Sequence, residues 1–226
     1  YGFHGTSHKF VTRQAQKMLA EYGYDTGKTK IVTCHLGNGS SMAAVVGGKV
    51  VDTSMGLTPA EGLVMGTRCG DIDPAILCFI AKERNLTPQE LDNVINKKSG
   101  LLGISGKSSD MRDITTAVEN GDERSALALK MFCYRIKKYI GSYAAAMGGI
   151  DAIVFTGGIG ENAFDIREMI CDGLEFLGII LDKEKNNSTR SKADLSAPNA
   201  SVKTLLVPTN EELMIARETV EVISGN

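Results

Sequence analysis

Two histidines share a short polar loop at the start of the chain, Phe3-His4-Gly5-Thr6-Ser7-His8. Either imidazole could handle a proton beside a reacting group, or both could be structural; the pair lacks the His-Glu-x-x-His spacing of a helical zinc site. Further on, His35-Leu36-Gly37-Asn38-Gly39-Ser40-Ser41 joins two β-rich runs. Its glycines could turn backbone amides outward as a concave nest for phosphate oxygens, or the Asn-Gly step could simply make a hairpin turn. Arg68 lies between glycines in Gly66-Thr67-Arg68-Cys69-Gly70-Asp71-Ile72-Asp73-Pro74. Its planar guanidinium could fork onto a phosphate or carboxylate. Alternatively it pairs with Asp71 or Asp73, either of which could cap a helix starting near Pro74.

Three further segments carry the same ambiguity. Gly157-Gly158-Ile159-Gly160-Glu161-Asn162 lies between a strand-like run and a helix-like run. A helix N-terminus attracts an anion by only about 0.3–1 kcal/mol, whereas micromolar binding needs about 8 kcal/mol, so this turn cannot hold a nucleotide alone. Neither a Walker P-loop nor the dinucleotide fingerprint is present. Asp110 and Arg112 precede a helix, where a capping carboxylate and a solvent-facing Arg are the plainer alternative to ligand contacts. In Pro208-Thr209-Asn210-Glu211-Glu212, Thr209 as N-cap would put Glu212 at N3 and complete a capping box. Glu211 would then be left for a cation or for solvent.

The elements that must position these residues follow from periodicity. Val11, Ala15, Met18, Leu19 and Tyr22 predict a helix over 8 to 22. Between 30 and 54, short β-rich runs broken by Gly37, Gly39 and Gly47-Gly48 predict a three-stranded antiparallel meander. Helices are expected at 74 to 84, 88 to 97 and 110 to 119, a helical insertion, and the longest at 122 to 147. Asp151-Ala152-Ile153-Val154-Phe155-Thr156 reads as a buried strand, followed by a helix from about 162 to 176. Residues 182 to 200 read as a polar surface excursion, 201 to 207 as the last strand, and Leu213, Ala216, Val220 and Ile223 as a final helix. A meander followed by alternating helices and strands is an α/β layer fold. The same order occurs in the ribonuclease-H-like core of the actin, hexokinase and acyl kinase superfamily.

Composition narrows the partners. The 226 residues are 42% hydrophobic and 23% charged with a net charge of −2, values of a compact globular chain. No Lys/Arg run offers a footprint for nucleic acid or an anionic membrane, which leaves small molecules. Cys34, Cys69, Cys78, Cys133 and Cys171 are widely spaced with apolar neighbours and read as buried reduced thiols. With no apolar run of membrane-spanning length, a cytoplasmic location is expected. The first residue, Tyr1, is not Met, which predicts a fragment or a processed chain.

Read in order, the segments at 1–8, 35–41, 66–74, 108–112, 155–162 and 208–219 resemble the C-terminal portion of the acetate kinase family; related propionate and butyrate kinases share much of the pattern. The resemblance implies a ribonuclease-H-like lobe of a two-lobed kinase, with the N-terminal lobe absent. It implies that His35, Leu36, Gly37, Asn38 and Gly39 form the phosphate-side loop for ATP or ADP. Asp110, Met111 and Arg112 would contact adenosine, and Gly158, Ile159, Gly160, Glu161 and Asn162 would line the adenine side. His4 and Arg68 would stabilise the transition state, Phe3 would lie beside the acyl pocket, and Glu211 would be linked to Mg2+. It further implies a homodimer formed through this half, and an active site lacking the residues of the other lobe. A non-catalytic nucleotide-binding or dimerisation module, and a sugar-kinase or actin-like relative, are the alternatives.

Overall fold

The computed structural model describes residues 2–225. Tyr1, on which the expectation of a processed start rested, lies outside the described residues. Helix α1 (Gly5–Glu21) leads into β1 (Lys30–Leu36), β2 (Ser40–Val46) and β3 (Lys49–Thr53). These strands form the expected meander, each antiparallel to the next. The turn between β2 and β3 places Gly47 and Gly48 at φ 56° and 82°, the backbone a two-residue hairpin demands. Four helices follow: α2 (Ala75–Arg84), α3 (Pro88–Lys97), α4 (Gly100–Ser105) and α5 (Met111–Glu119). The short α4 has too few turns to show a period in sequence. The long α6 (Glu123–Met147) leads to β4 (Ala152–Thr156), α7 (Gly157–Asn162), α8 (Phe164–Cys171), α9 (Lys183–Ser188), β5 (Ala193–Asp194), β6 (Lys203–Leu206) and α10 (Glu211–Ile223).

The six strands lie in the order β3-β2-β1-β4-β6-β5, with β4 parallel to β1 and to β6, and β5 antiparallel to β6. Strand alternation sends one set of side chains to each face. Val32, Cys34, Leu36, Ile153 and Phe155 pack on Phe132, Ile136 and Ile140 of α6 and on Ile166 and Ile170 of α8. Ile31, Ala43, Val45, Val154 and Leu205 pack on Phe10, Val11, Ala15 and Leu19 of α1 and on Met214 of α10. Each fully buried Val, Leu, Ile, Phe or Met among them stabilises the fold by about 1.5–3 kcal/mol. The same alternation turns Thr33 and His35 toward α1.

Four sequence expectations are corrected. The glycine run 157–160 is itself a helical turn, and the helix after it spans Phe164–Cys171 rather than reaching Phe176. Residues 182 to 200 are not a plain surface excursion: they supply the edge strand β5 and bury Asn186, Leu195 and Ser196. The N-cap of α10 is Asn210, whose Oδ1 accepts from the Leu213 amide, so Thr209 and Glu212 make no capping box. Cys34, Cys133 and Cys171 are buried, but Cys69 is half-buried and Cys78 exposed.

Candidate active site

The loops that leave the C-terminal ends of β1 and β4 open on one side of the sheet, where open α/β sheets hold their ligands. A cavity of about 950 Å3 lies there, lined by Gly37 and Asn38, by Ser109 to Arg112, Thr115 and Thr116 of α5, and by Gly158, Ile159, Asn162, Ala163 and Asp165 of α7 and α8. The expected residues Gly37, Asn38, Asp110, Met111, Arg112, Gly158, Ile159 and Asn162 therefore meet around one space. Sequence reading missed Ser109, Thr115, Thr116, Ala163 and Asp165, ordinary loop and helix residues that enter the wall because α5 and α8 begin there.

Other expected residues face elsewhere. Leu36 is in the core, so its side chain cannot reach a ligand. Gly160 is buried, and its carbonyl accepts from Arg167. Glu161 Oε1 accepts from the amides of Gly157 and Thr209, a brace between α7 and the start of α10. The Gly37 amide is spent on the Gly39 carbonyl and Ser40 Oγ, so this amide is not offered to a ligand. Asp110 does cap α5, and it holds Arg112 through its guanidinium and amide, which keeps the Asp110 carboxyl down at about 2. Ser109 and Thr115 flank this pair on the wall.

Beyond the Gly37–Asn38 end, a second group of side chains surrounds Gly39. A Cβ added at Gly39 would lie 3.4 Å from Arg68 Nη1 and 3.5 Å from His4 Nε2, so the guanidinium and one imidazole nitrogen converge on that glycine. Neither Asp71 nor Asp73 pairs with Arg68, whose Nη1 contacts are the Pro59 carbonyl at 3.3 Å and Met65 Sδ at 3.5 Å. Asp71 is used otherwise: it accepts from the Gly62 amide and from Tyr139 Oη, and it pairs with Arg135 of α6. Asp73 accepts from the Ala75 amide. The Gly66 amide donates to the Asn38 carbonyl, and Asn38 Oδ1 occupies the place a Gly66 side chain would take. The Arg68 loop and the phosphate-side turn thus interlock.

His4 adopts a left-handed backbone, φ 58° and ψ 21°, a strained conformation for a residue with a Cβ. It turns the ring back to stack on His35 and to place Nδ1 2.9 Å from Ser41 Oγ. Burial and then the Arg68 charge push its imidazolium below the usual range. His35 is buried with Nδ1 2.8 Å from Ser7 Oγ, which is 2.7 Å from Thr209 Oγ1. Burial, and then His4, lower it to about 4. Phe3 lines a smaller cavity of about 480 Å3 between α1 and β3, with His8, Lys9, Thr12, Arg13, Val50 and Thr53 among its walls.

Among the described residues no three His, Cys, Asp or Glu side chains gather as a metal site. Glu211, half-exposed in the first turn of α10, is a single carboxylate. Magnesium carried with a nucleotide takes most ligands from phosphate and water, so one carboxylate fits that donor set. No described helix is long and apolar enough to cross a membrane.

The antiparallel meander, the parallel strands that extend it and the cavity at their C-terminal ends define the ribonuclease-H-like fold of the actin, hexokinase and acetate kinase superfamily. Comparison with known proteins narrows that class. The Acetokinase family matches residues 1–217, and the chain belongs to it. It is 59% identical over 223 residues to the acetate kinase of Treponema denticola and 56% identical over 225 residues to that of Halothermothrix orenii. These matches cover 99% and 100% of this chain but 55% and 56% of theirs, so the chain spans about half the length of the curated relatives it matches. The structure superimposes on Porphyromonas gingivalis acetate kinase with a TM-score of 0.94 and 50% identity, covering 99% of this chain and 55% of that one. On a propionate kinase from Francisella tularensis the values are 0.88 and 46%, covering 96% and 54%.

Proposed function

We propose that this chain is the C-terminal, nucleotide-binding lobe (1–226, with 74–119 as a helical insertion) of an acetate kinase. The whole enzyme transfers the terminal phosphoryl group of ATP to acetate, reversibly, giving acetyl phosphate and ADP. The observation that carries this reading is the continuity of the cavity with the His4–Arg68 pair through Gly37, Asn38 and Gly39. A nucleoside lodged between α5 and α7 would extend its phosphates over that turn and present the last one to His4 and Arg68. Phosphoryl transfer to a carboxylate needs charge neutralisation and alignment more than covalent help. Arg68 is suited to the first, because no carboxylate among the described residues occupies it. His35 supports the His4 ring by stacking, and Phe3 would lie beside the acetate. Glu211 would hold magnesium jointly with phosphate oxygens, and the bound ion would neutralise phosphate charge.

The likeness to a propionate kinase keeps a longer acyl acceptor as a second reading. The reading also includes a cytoplasmic location and a homodimer through this lobe; the exposed stripe Leu127, Met131 and Tyr134 on α6 supports the latter. The test is titration of the isolated chain with ATP and ADP, followed by amide chemical shifts, beside an assay for acetyl phosphate. Saturable shifts confined to Gly37, Asn38, α5 and α7, with no acetyl phosphate formed, are expected. An absence of shifts at millimolar ATP would overturn the nucleotide assignment, and a monomer by light scattering at tens of micromolar would remove the dimer.

A further inference from the structure

His8 takes no part in the cavity's nucleotide wall, yet it is 4% exposed and both its ring nitrogens are engaged. Nδ1 lies 2.7 Å from Thr33 Oγ1, and Nε2 lies 2.8 Å from Ser41 Oγ. The same Ser41 oxygen lies 2.9 Å from His4 Nδ1. Thr33, His8, Ser41 and His4 therefore form one unbranched chain of hydroxyls and imidazoles. It is closed at Thr33 and open at His4 Nε2, which faces Gly39 beside Arg68.

Each hydroxyl owns a single proton, so the direction chosen at one end fixes every link. The other acceptor within reach of the Thr33 hydroxyl is the Ala43 carbonyl at 3.4 Å, beyond the roughly 2.5–3.0 Å range of a good O–H···O bond. The Thr33 proton therefore goes to His8 Nδ1. Burial, and then the neighbouring His35 and His4, drive His8 down to about 3, so it is neutral at physiological pH. Neutral His8 then carries its own proton on Nε2 and donates it to Ser41. Ser41 in turn donates to His4 Nδ1, which leaves the proton of a neutral His4 on Nε2.

We infer that His8 is a positioning residue: acting through Ser41, it holds His4 as the Nε2–H tautomer, so that the site offers a transferred phosphoryl group an uncharged donor beside the fixed charge of Arg68. The opposite tautomer would aim a lone pair at phosphate oxygens. The use of the donor rests on the phosphoryl-transfer reading above; the location of the proton does not.

The test is a long-range proton–nitrogen correlation spectrum of the chain labelled in its histidine rings, at neutral pH and without ligand. His4 and His8 should each show a protonated Nε2 and a bare, hydrogen-bonded Nδ1. Ser41→Ala should move the His4 Nδ1 resonance downfield to that of an unbonded ring nitrogen, and Ser41→Thr, which keeps the hydroxyl, should restore it. His8→Leu should draw the two His4 nitrogen resonances toward each other, as a mixture of tautomers does. A proton on His4 Nδ1 in the unmodified chain overturns the inference, whether alone or together with one on Nε2. So does a His4 spectrum that Ser41→Ala leaves unmoved, or that a folded His8→Leu leaves unmoved; should His8→Leu not fold, the unmodified chain and the Ser41 pair decide. No arm contains nucleotide or acetate, so failure here leaves the functional reading intact, and a failed ATP titration leaves the tautomer intact.

Discussion

The rings of His4 and His35 lie face to face, with centroids 3.9 Å apart and planes 15° from parallel. At that separation two imidazolium charges would repel strongly, and burial already disfavours charge on both rings. The cluster is therefore built to be neutral, and that neutrality is linked to stability.

His8 and His35 keep low values in the fold, about 3 and about 4, whereas in the unfolded chain they take up protons near the ordinary 6.5. The unfolded state then binds more protons, so their contribution is intact above about pH 6.5 and declines as pH falls toward 4. At pH 5 each histidine should cost about 2 kcal/mol. Urea unfolding at pH 7.5 and pH 5.0 should show a clearly lower midpoint at the acidic value; equal midpoints would contradict the neutral cluster.

Gly157 and Gly158 are adjacent and should respond oppositely. Gly157 has φ 78°, and a Cβ there would meet the Leu36 carbonyl oxygen at 2.7 Å; Gly157→Ala should cost about 2 kcal/mol or more. A Cβ at Gly158 meets nothing within 4 Å, and the residue lines the cavity. Gly158→Asp should keep stability within about 0.5 kcal/mol while its side chain intrudes on the space proposed for the nucleoside and weakens ATP binding. Thermal unfolding and ATP titration of both variants separate the two effects.

Arg68 and Asp71 share a loop but not a job. Among the described residues the Arg68 guanidinium makes two long hydrogen-bond contacts, so Arg68→Ala should change stability by less than about 0.5 kcal/mol and weaken ATP binding more than AMP binding. Asp71 ties the loop to α6 through Tyr139 and Arg135, and Asp71→Ala should cost about 1–2 kcal/mol. Denaturation midpoints with paired ATP and AMP titrations check both.

Much of this was legible in the sequence because local rules and tertiary outcome agree. The 3.6-residue period of α6 and the Gly47-Gly48 turn depend on nearby residues, and the structure places them as expected. The site was legible as a set of loops rather than as orientations. Nothing local distinguishes Gly158, which faces the cavity, from Gly160, which faces Arg167; the twist of α7 decides that. The cap of α10 shifted from Thr209 to Asn210 because Ser7, a distant residue, engages the Thr209 hydroxyl. The chain through His8, Ser41 and Thr33 spans three elements and leaves no sequence signature.

Arg167 is fully buried and has no carboxylate partner among the described residues; its guanidinium is held by the carbonyls of Gly160, Glu161 and Asn186 and by Asn186 Oδ1. Asn186→Ala removes one acceptor from a sealed charge and should cost about 3 kcal/mol, measured by urea unfolding against Asn187→Ala on the exposed side of α9.

A buried cation with acceptors on both α7 and α9 also limits how the molecule can come apart. Releasing either helix alone would take away half of the guanidinium's acceptors at once. The stretch from Gly157 to Asn186 should therefore open as one cooperative unit, and its amides, once each is corrected for its intrinsic exchange rate, should report a common opening free energy.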